Sequence, residues 1–295
     1  MDRLSTLFSQ FAVRARLSYN GKLCGTAIYD GADQRGHLHL LRAGTMTVVS
    51  PDRTRLELTR PSLIFLPRPH RHQLLADESL GAELLCAAME FEGGIDNPLS
   101  ASLPDFMVLP LDELPMLADT LMWMFREAAA DHCGRDAALD RLFELLIIQL
   151  FRHLLDHQQL RTGTMAGLAD SRLARSLVQM HKAPQRAWSV AELASESNMS
   201  RAAYAVNFRA VVGQTPAEYL LSWRISLAQK RLREARPIAL IAAEIGYDSP
   251  SALARAFRRK TGYSPREWLK DWQDRCQRAS DIRQPDLAVA EGKGA

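Results

Sequence analysis

The sequence predicts an α+β multidomain protein: an N-terminal β domain, a helical hairpin behind it, and a C-terminal all-α domain with two helix-turn-helix units. Three observations carry this expectation. Short apolar runs separated by turn residues fill residues 1–95. Two stretches with apolar residues three and four apart follow. Between Trp188 and Trp272 one pattern then occurs twice, 49 residues apart. At 295 residues the chain has room for two domains of ordinary size.

In the β region, TAIYD, HLHLL, TMTVVS, LELTR and LIFLP each end in turn residues, the short, close spacing of a sandwich or barrel. Pro51, Pro61, Pro67 and Pro69 fall at strand borders, where a missing N–H costs little. Residues 96–112 form a Pro-rich connector, so the β domain is expected over 1–112. The hairpin is expected over 113–158. Its first helix, Leu114 to Ala130, carries Leu117, Leu121, Trp123, Met124 and Phe125. Its second, Asp136 to His157, carries Leu139, Leu142, Phe143, Leu146, Leu150, Phe151 and Leu154. Ile147 and Ile148 widen that second face, and burial within one subunit or contact in a homodimer accounts for it equally. The aperiodic stretch 159–169 reads as an interdomain linker, 170–278 as the helix-turn-helix domain opened by Asp170 as a cap, and 279–295 as a disordered tail.

Composition excludes several classes. No apolar run approaches the ~20 residues of a membrane span. The N-terminus has an acid at Asp2 and no continuous apolar core, so no secretory signal and a cytoplasmic location are expected. Cys24, Cys86, Cys133 and Cys276 form no CxxC pair, which suits reduced thiols. Residues 188–278 hold 15 basic and 9 acidic side chains, against 22 and 25 elsewhere. A basic C-terminal third on a mildly acidic body is a nucleic-acid footprint.

The two copies run Val190–Leu220 and Ala239–Leu269. Phe208 matches Phe257, Gly213 matches Gly262, Pro216 matches Pro265 and Tyr219 matches Trp268. In the first copy, Val190–Ser197 is a helix, Asn198–Met199 the turn and Ser200 the cap of the next helix. Tyr204 and Phe208 face inward at i and i+4, Gly213 stops the helix, and Pro216 opens the following one. Ser249, Leu253, Phe257, Gly262 and Pro265 repeat these devices. The outward residues of the second helix of each copy are the expected DNA-reading positions: Arg201, Ala202, Ala205, Val206 and Arg209, then Ser251, Arg255, Arg258 and Arg259. Arg255 is placed to bond guanine O6 and N7. Ala202, Ala205 and Val206 suit thymine methyls or close approach. The remaining arginines suit phosphates, which position without specifying. The long helix from Pro216 to Ala235, with Leu220, Trp223, Leu227 and Leu232 on its seam, would hold the readers for two major-groove segments ~34 Å apart.

This region resembles the AraC/XylS family of bacterial transcription regulators through LA at 193–194, MSRAAYAVNFRAVVG at 199–213, TPAEYLLSWRISLAQKRL at 215–232 and IAAEIGYDSPSALARAFRRKTGYSPREW at 241–268. The resemblance implies double-stranded promoter DNA and RNA polymerase as partners. Many relatives carry Arg two residues before the first Phe; here Val206 stands there, so the first reader leans on apolar and phosphate contacts.

The first half resembles the cupin-like sensing domain of one AraC branch through HLHLLRAG at 37–44 and LIFLPRPHRHQLLAD at 63–77. That implies a jelly-roll barrel controlled by a small-molecule effector or an oxidant. His37 and His39 share a strand face by the two-residue period, as His70 and His72 would; His39 and His72 are the candidate ligand-binding residues. Gly31-x5-His37-x-His39 matches the opening of a cupin metal motif. Arg42, however, stands near the expected glutamate and Pro61 at an expected glycine, so no metal and no cofactor is expected. Relatives with a cysteine near the Cys24 position detect oxidants, and basic Arg14, Arg16 and Lys22 would activate a thiol there. Cys24 and Cys86 are thus the candidate redox residues, although Cys86 also reads as core. The expected function is regulation, without catalytic residues; the alternative is a cupin metalloenzyme fused to a DNA anchor.

Overall fold

The computed structural model describes residues 1–94, 97–157, 160 and 162–281. The chain divides into two compact units. One comprises Val13–Glu90 and Pro104–His153; the other comprises Met1–Ala12, Phe91–Leu103 and Leu154–Ser280.

The first unit is a two-sheet structure. β1 (Val13–Leu23), β8 (Ala82–Phe91), β3 (Gly36–Gly44), β6 (Ser62–Leu66) and β9 (Met107–Pro110) form one sheet in that order. β2 (Gly25–Tyr29), β7 (His72–Ala76), β4 (Met46–Val49) and β5 (Arg55–Leu58) form the other. The sheets stay open at their edges, so the expected barrel is a sandwich. Leu41, Ile64, Leu66 and Leu84 of the first sheet share a core with Ala27, Met46, Val48 and Leu74 of the second. Alternate residues of the first sheet, Leu38, Leu40, Leu63, Phe65 and Leu85, are buried as well. Burial on both faces is why β3 and β6 read as continuous apolar runs. The connector 96–112 is partly structured, because its Met107–Pro110 run pairs antiparallel with β6 as an edge strand.

The hairpin consists of α2 (Ala118–Ala129) and α3 (Arg135–Asp156), close to the expected bounds. Asp140 of α3 accepts the Leu17 amide at 2.7 Å, and Asn20 donates to the Ala128 carbonyl at 2.8 Å, fastening both helices to β1.

In the second unit the N-terminal helix α1 (Ser5–Gln10) joins the C-terminal helices, and residues 1–12 lie outside the β domain expected over 1–112. The reason is aromatic packing: the Phe11 ring meets Trp223 edge-on at 5.2 Å. The expected linker 159–169 is also corrected. Its residues 164–169 form helix α4 (Thr164–Ala169), buried at all six positions and packed on the helix that follows the first turn of the repeat. A six-residue helix is too short to show a period in sequence. Asp170 does act as a cap, accepting the Arg172 and Leu173 amides, ahead of α5 (Ala174–Lys182).

The repeat follows as α6 (Val190–Glu196), α7 (Arg201–Val212), α8 (Pro216–Arg233), α9 (Ile238–Glu244), α10 (Pro250–Thr261) and α11 (Pro265–Asp281). The 49-residue offset holds from the caps Ser200 and Ser249 onward. Upstream it is 48: buried Leu193 and Ala194 correspond to Ile241 and Ala242. The second turn contains one more residue than the first. The part of the expected tail beyond Asp281 lies outside the described residues.

Candidate nucleic-acid interface and sensor site

The Ser200 hydroxyl accepts the Ala203 amide and opens α7, and Ser249 accepts the Ala252 amide and opens α10. Tyr204 and Phe208 are buried on the inner side of α7, as Leu253 and Phe257 are on α10. The ring of Phe208 meets Tyr219 edge-on at 5.7 Å, and Phe257 meets Trp268 at 5.9 Å. Gly213 and Gly262 end the two helices in the left-handed conformation.

These inner contacts fix the outer faces. Arg201, Ala202, Val206 and Arg209 are exposed on α7, with Ala205 half-buried beside them. Ser251, Arg255, Arg258 and Arg259 are exposed on α10. Val206 is 72% exposed, an unusual surface for an apolar side chain within a folded unit. Arg224, Arg231 and Arg236 of the frame are tied down. Arg224 donates to the Pro184 and Arg186 carbonyls at 2.6 and 3.0 Å, Arg231 pairs with Glu244 at 2.8 Å, and Arg236 pairs with Glu244 at 2.8 Å. Among the described residues, Arg201, Arg209, Arg255, Arg258 and Arg259 make no hydrogen bond or ion pair. Burial of the capped inner side leaves α7 and α10 presenting cations, small apolar groups and the Ser251 hydroxyl.

In the other unit, β3 and β7 bring His39 and His72 together, Nε2 to Nε2 at 2.9 Å. Both are buried, at 0% and 1% exposure, rather than at an open mouth. His72 donates from Nδ1 to the His70 carbonyl at 3.0 Å, so its Nε2 accepts and His39 donates. Burial drives His39 well below the ordinary histidine range and His72 down to about 4. Both rings are therefore neutral near pH 7. Tyr29 stacks on His72 at 4.5 Å. Burial pushes the Cys86 thiol far up, so it is core rather than a reactive thiolate. Cys24, in contrast, is exposed between β1 and β2.

Cupins commonly hold a metal, but these donors do not fit one. His39 and His72 spend their Nε2 atoms on each other, His37 Nε2 faces Asp33 at 3.3 Å, and Arg42 pairs with Glu83 on the exposed side. Among the described residues no group of three or more His, Cys, Asp or Glu side chains is arranged to hold an ion. His70, expected beside His72, turns instead to Asp105 at 3.0 Å. Sequence reasoning missed Tyr29 and Asp33, which surround the histidines; the only signals for them were the place of Tyr29 near the end of the TAIYD run and of Asp33 in the GADQRG turn after it. Among the described residues no helix is long and apolar enough to cross a membrane.

Two short helix pairs, each capped at the second helix and cationic on its outer side, make this a helix-turn-helix protein. Comparison with known proteins agrees and goes further. Residues 2–156 match the cupin family and residues 193–271 match a helix-turn-helix domain. An AraC-like transcription regulator of Streptomyces antibioticus is 43% identical over 133 residues, 44% of each chain. One of Streptomyces lividans is 37% identical over 174 residues, 57% of each. The chain thus spans about half the length of these relatives. The RCS-specific HTH-type transcriptional activator RclR of Escherichia coli is 27% identical over 235 residues, 78% of this chain and 82% of RclR. By residues 2–156 the chain belongs to the cupin family; it also carries a helix-turn-helix domain and is similar to AraC-like transcription regulators. Its relatives are named as transcription regulators, not as enzymes.

Proposed function

We propose that this protein binds double-stranded promoter DNA through the outer faces of α7 and α10, and that its cupin domain adjusts this activity in response to a signal. The unpaired arginines carry the reading. Among the described residues six cations, these five arginines and Lys260, make no hydrogen bond or ion pair on two helices whose other sides are buried, while Arg224, Arg231 and Arg236 of the frame are bonded. Arg255 then meets a guanine edge, Arg201, Arg209, Arg258 and Arg259 meet phosphates, and Ala202, Ala205 and Val206 pack against base edges with Ser251 at the helix start. Because the two faces differ, the site is non-palindromic and read in one orientation. Contact with RNA polymerase and a cytoplasmic location belong to this reading through the family.

Fluorescence anisotropy with the duplex upstream of the protein's own gene, against a scrambled duplex, tests it. Tighter binding to the first is expected, with both affinities falling as salt rises. Equal affinities would remove the sequence-specific reading.

For the signal, a small molecule is the leading reading. Exposure of Cys24 and the name of the RclR relative favour an oxidant as the second. Promoter output of Cys24→Ser under hypochlorous acid and peroxide decides it: unchanged output ends the oxidant reading.

A further inference from the structure

The space between the two sheets is filled. Leu41, Met46, Ile64, Leu66 and Leu74 close it, and the His39–His72 pair is sealed by Tyr29. A hollow of useful size lies outside the sandwich instead. A groove of ≈ 730 Å³ runs along α2 beside Pro61 and Leu111, within the 300–1,000 Å³ common for small-molecule sites. Its floor is apolar, made by Leu121, Met122 and Phe125 of α2. Met122 is 42% exposed, so this face of the helix has no cover.

The rim holds three arginines, Arg42, Arg60 and Arg126, and among the described residues only Arg126 of these is left without a carboxylate. Arg42 is held by Glu83 and Arg60 by Asp112 and Glu113, which orients them. Arg126, in the last turn of α2, makes no ion pair among the described residues. Phe125, Ala129 and Arg42 also border a smaller hollow of ≈ 230 Å³ that adds Lys22 and Glu83.

We propose that this groove is the effector site of the regulator, and that it takes an organic acid with an apolar body, the body on α2 and the carboxylate on Arg126. This rests on the reading of the chain as a signal-responsive regulator. Charge complementarity selects the occupant. A cationic amphiphile sets its charge against Arg126, and a neutral apolar molecule leaves Arg126 unanswered. A two-fold contact with a second copy sets the same patch on itself, where the carboxylates are already taken by Arg42 and Arg60 and none is left for Arg126. A free acid answers both the floor and the rim, and the guanidinium fork suits its carboxylate.

Titration calorimetry of the full chain with decanoate, 1-decanol and decyltrimethylammonium, all below their aggregation limits, tests the assignment. Decanoate is expected to bind about tenfold or more tighter than the alcohol, with no binding of the cation. Arg126→Ala should erase the advantage of acid over alcohol, and Met122→Glu should abolish decanoate binding; both positions are exposed, so folding is kept and checked by circular dichroism. Equal binding of acid and alcohol, or decanoate binding indifferent to both substitutions, overturns the proposal. So does a dimer, seen by sedimentation, that Met122→Glu dissociates while decanoate fails to bind. Promoter-duplex binding by the same preparation separates the two readings. Binding to DNA without decanoate binding defeats only the groove, whereas absence of DNA binding defeats the regulator itself.

Discussion

The first helix-turn-helix unit turns on an asparagine, the second on a glycine, and the two turns are set in different ways. Asn198, itself exposed, adopts φ 51° in the turn of residues 197–200. Gly246 adopts φ 84° in the longer turn 245–249, with the backbone of Gln185 against it. A Cβ there would meet the Gln185 carbonyl oxygen and lie 2.7 Å from its Cα. Arg224 donates to the Pro184, Arg186 and Gly246 carbonyls and so holds this approach in place. The entries differ too. α6 begins with a capping box of Ser189 and Glu192, whereas α9 begins after Pro237 without a side-chain cap. One scaffold therefore carries a locally specified unit and a unit specified by its neighbours, besides two unlike outer faces.

That contrast can be broken by measurement. Gly246→Ala should cost about 2–4 kcal/mol, from the disfavoured φ and the backbone clash together. Asn198→Ala should cost about 1–2 kcal/mol, from φ alone. Urea unfolding checks both, and equal losses would show that the Gln185 contact does not distinguish the turns.

On DNA, Arg255→Ala should weaken binding by about 1–3 kcal/mol, concentrated at one base pair. Val206→Ala should stay within about 0.5 kcal/mol. Anisotropy on duplexes with single base changes reads this; a uniform loss would make Arg255 a phosphate contact.

Acid sharpens the difference further. His181 is buried beneath α8, its Nε2 2.5 Å from the Tyr219 hydroxyl and its ring 4.2 Å from Trp223. Burial lowers it to about 3, and no histidine follows it in the chain. The folded pKa lies below the unfolded one, near 6.5, so the unfolded chain binds the proton first. Stability is full above that value and falls as pH drops toward 3, by up to about 2 kcal/mol at pH 5. His181→Phe should shrink the pH 7-to-5 difference in urea unfolding. An undiminished difference would assign the sensitivity to His39 and His72.

The smallest effects should be equal. Ser200→Ala and Ser249→Ala should each cost about 1 kcal/mol, because the two caps make the same hydrogen bond. Unequal values in urea unfolding would mean that the copies differ even where their scaffolds match.

Much of the second unit was legible because its signals are local. A serine before a helix, an aromatic pair at i and i+4 and a glycine after the last turn each act within a few residues. α1, β9 and α4 were not legible. Each is short, and each exists through a partner elsewhere: Trp223 for Phe11, β6 for Met107–Pro110, α7 for Thr164–Ala169. At the sensor site the period of two placed His37 and His39 on one face, but only the pairing of sheets set His72 against His39 and closed both from solvent.

By itself, then, the sequence determined the repeat, its caps and stops, and which residues α7 and α10 turn outward. These follow from hydrogen bonds and apolar spacing within single helices. Tertiary structure alone decided the 48-residue register of α6 and α9, the glycine at 246, the sealed histidine pair and the uncovered groove on α2. Those depend on close approach between segments far apart in the chain, and distance in sequence carries no record of which segments will touch.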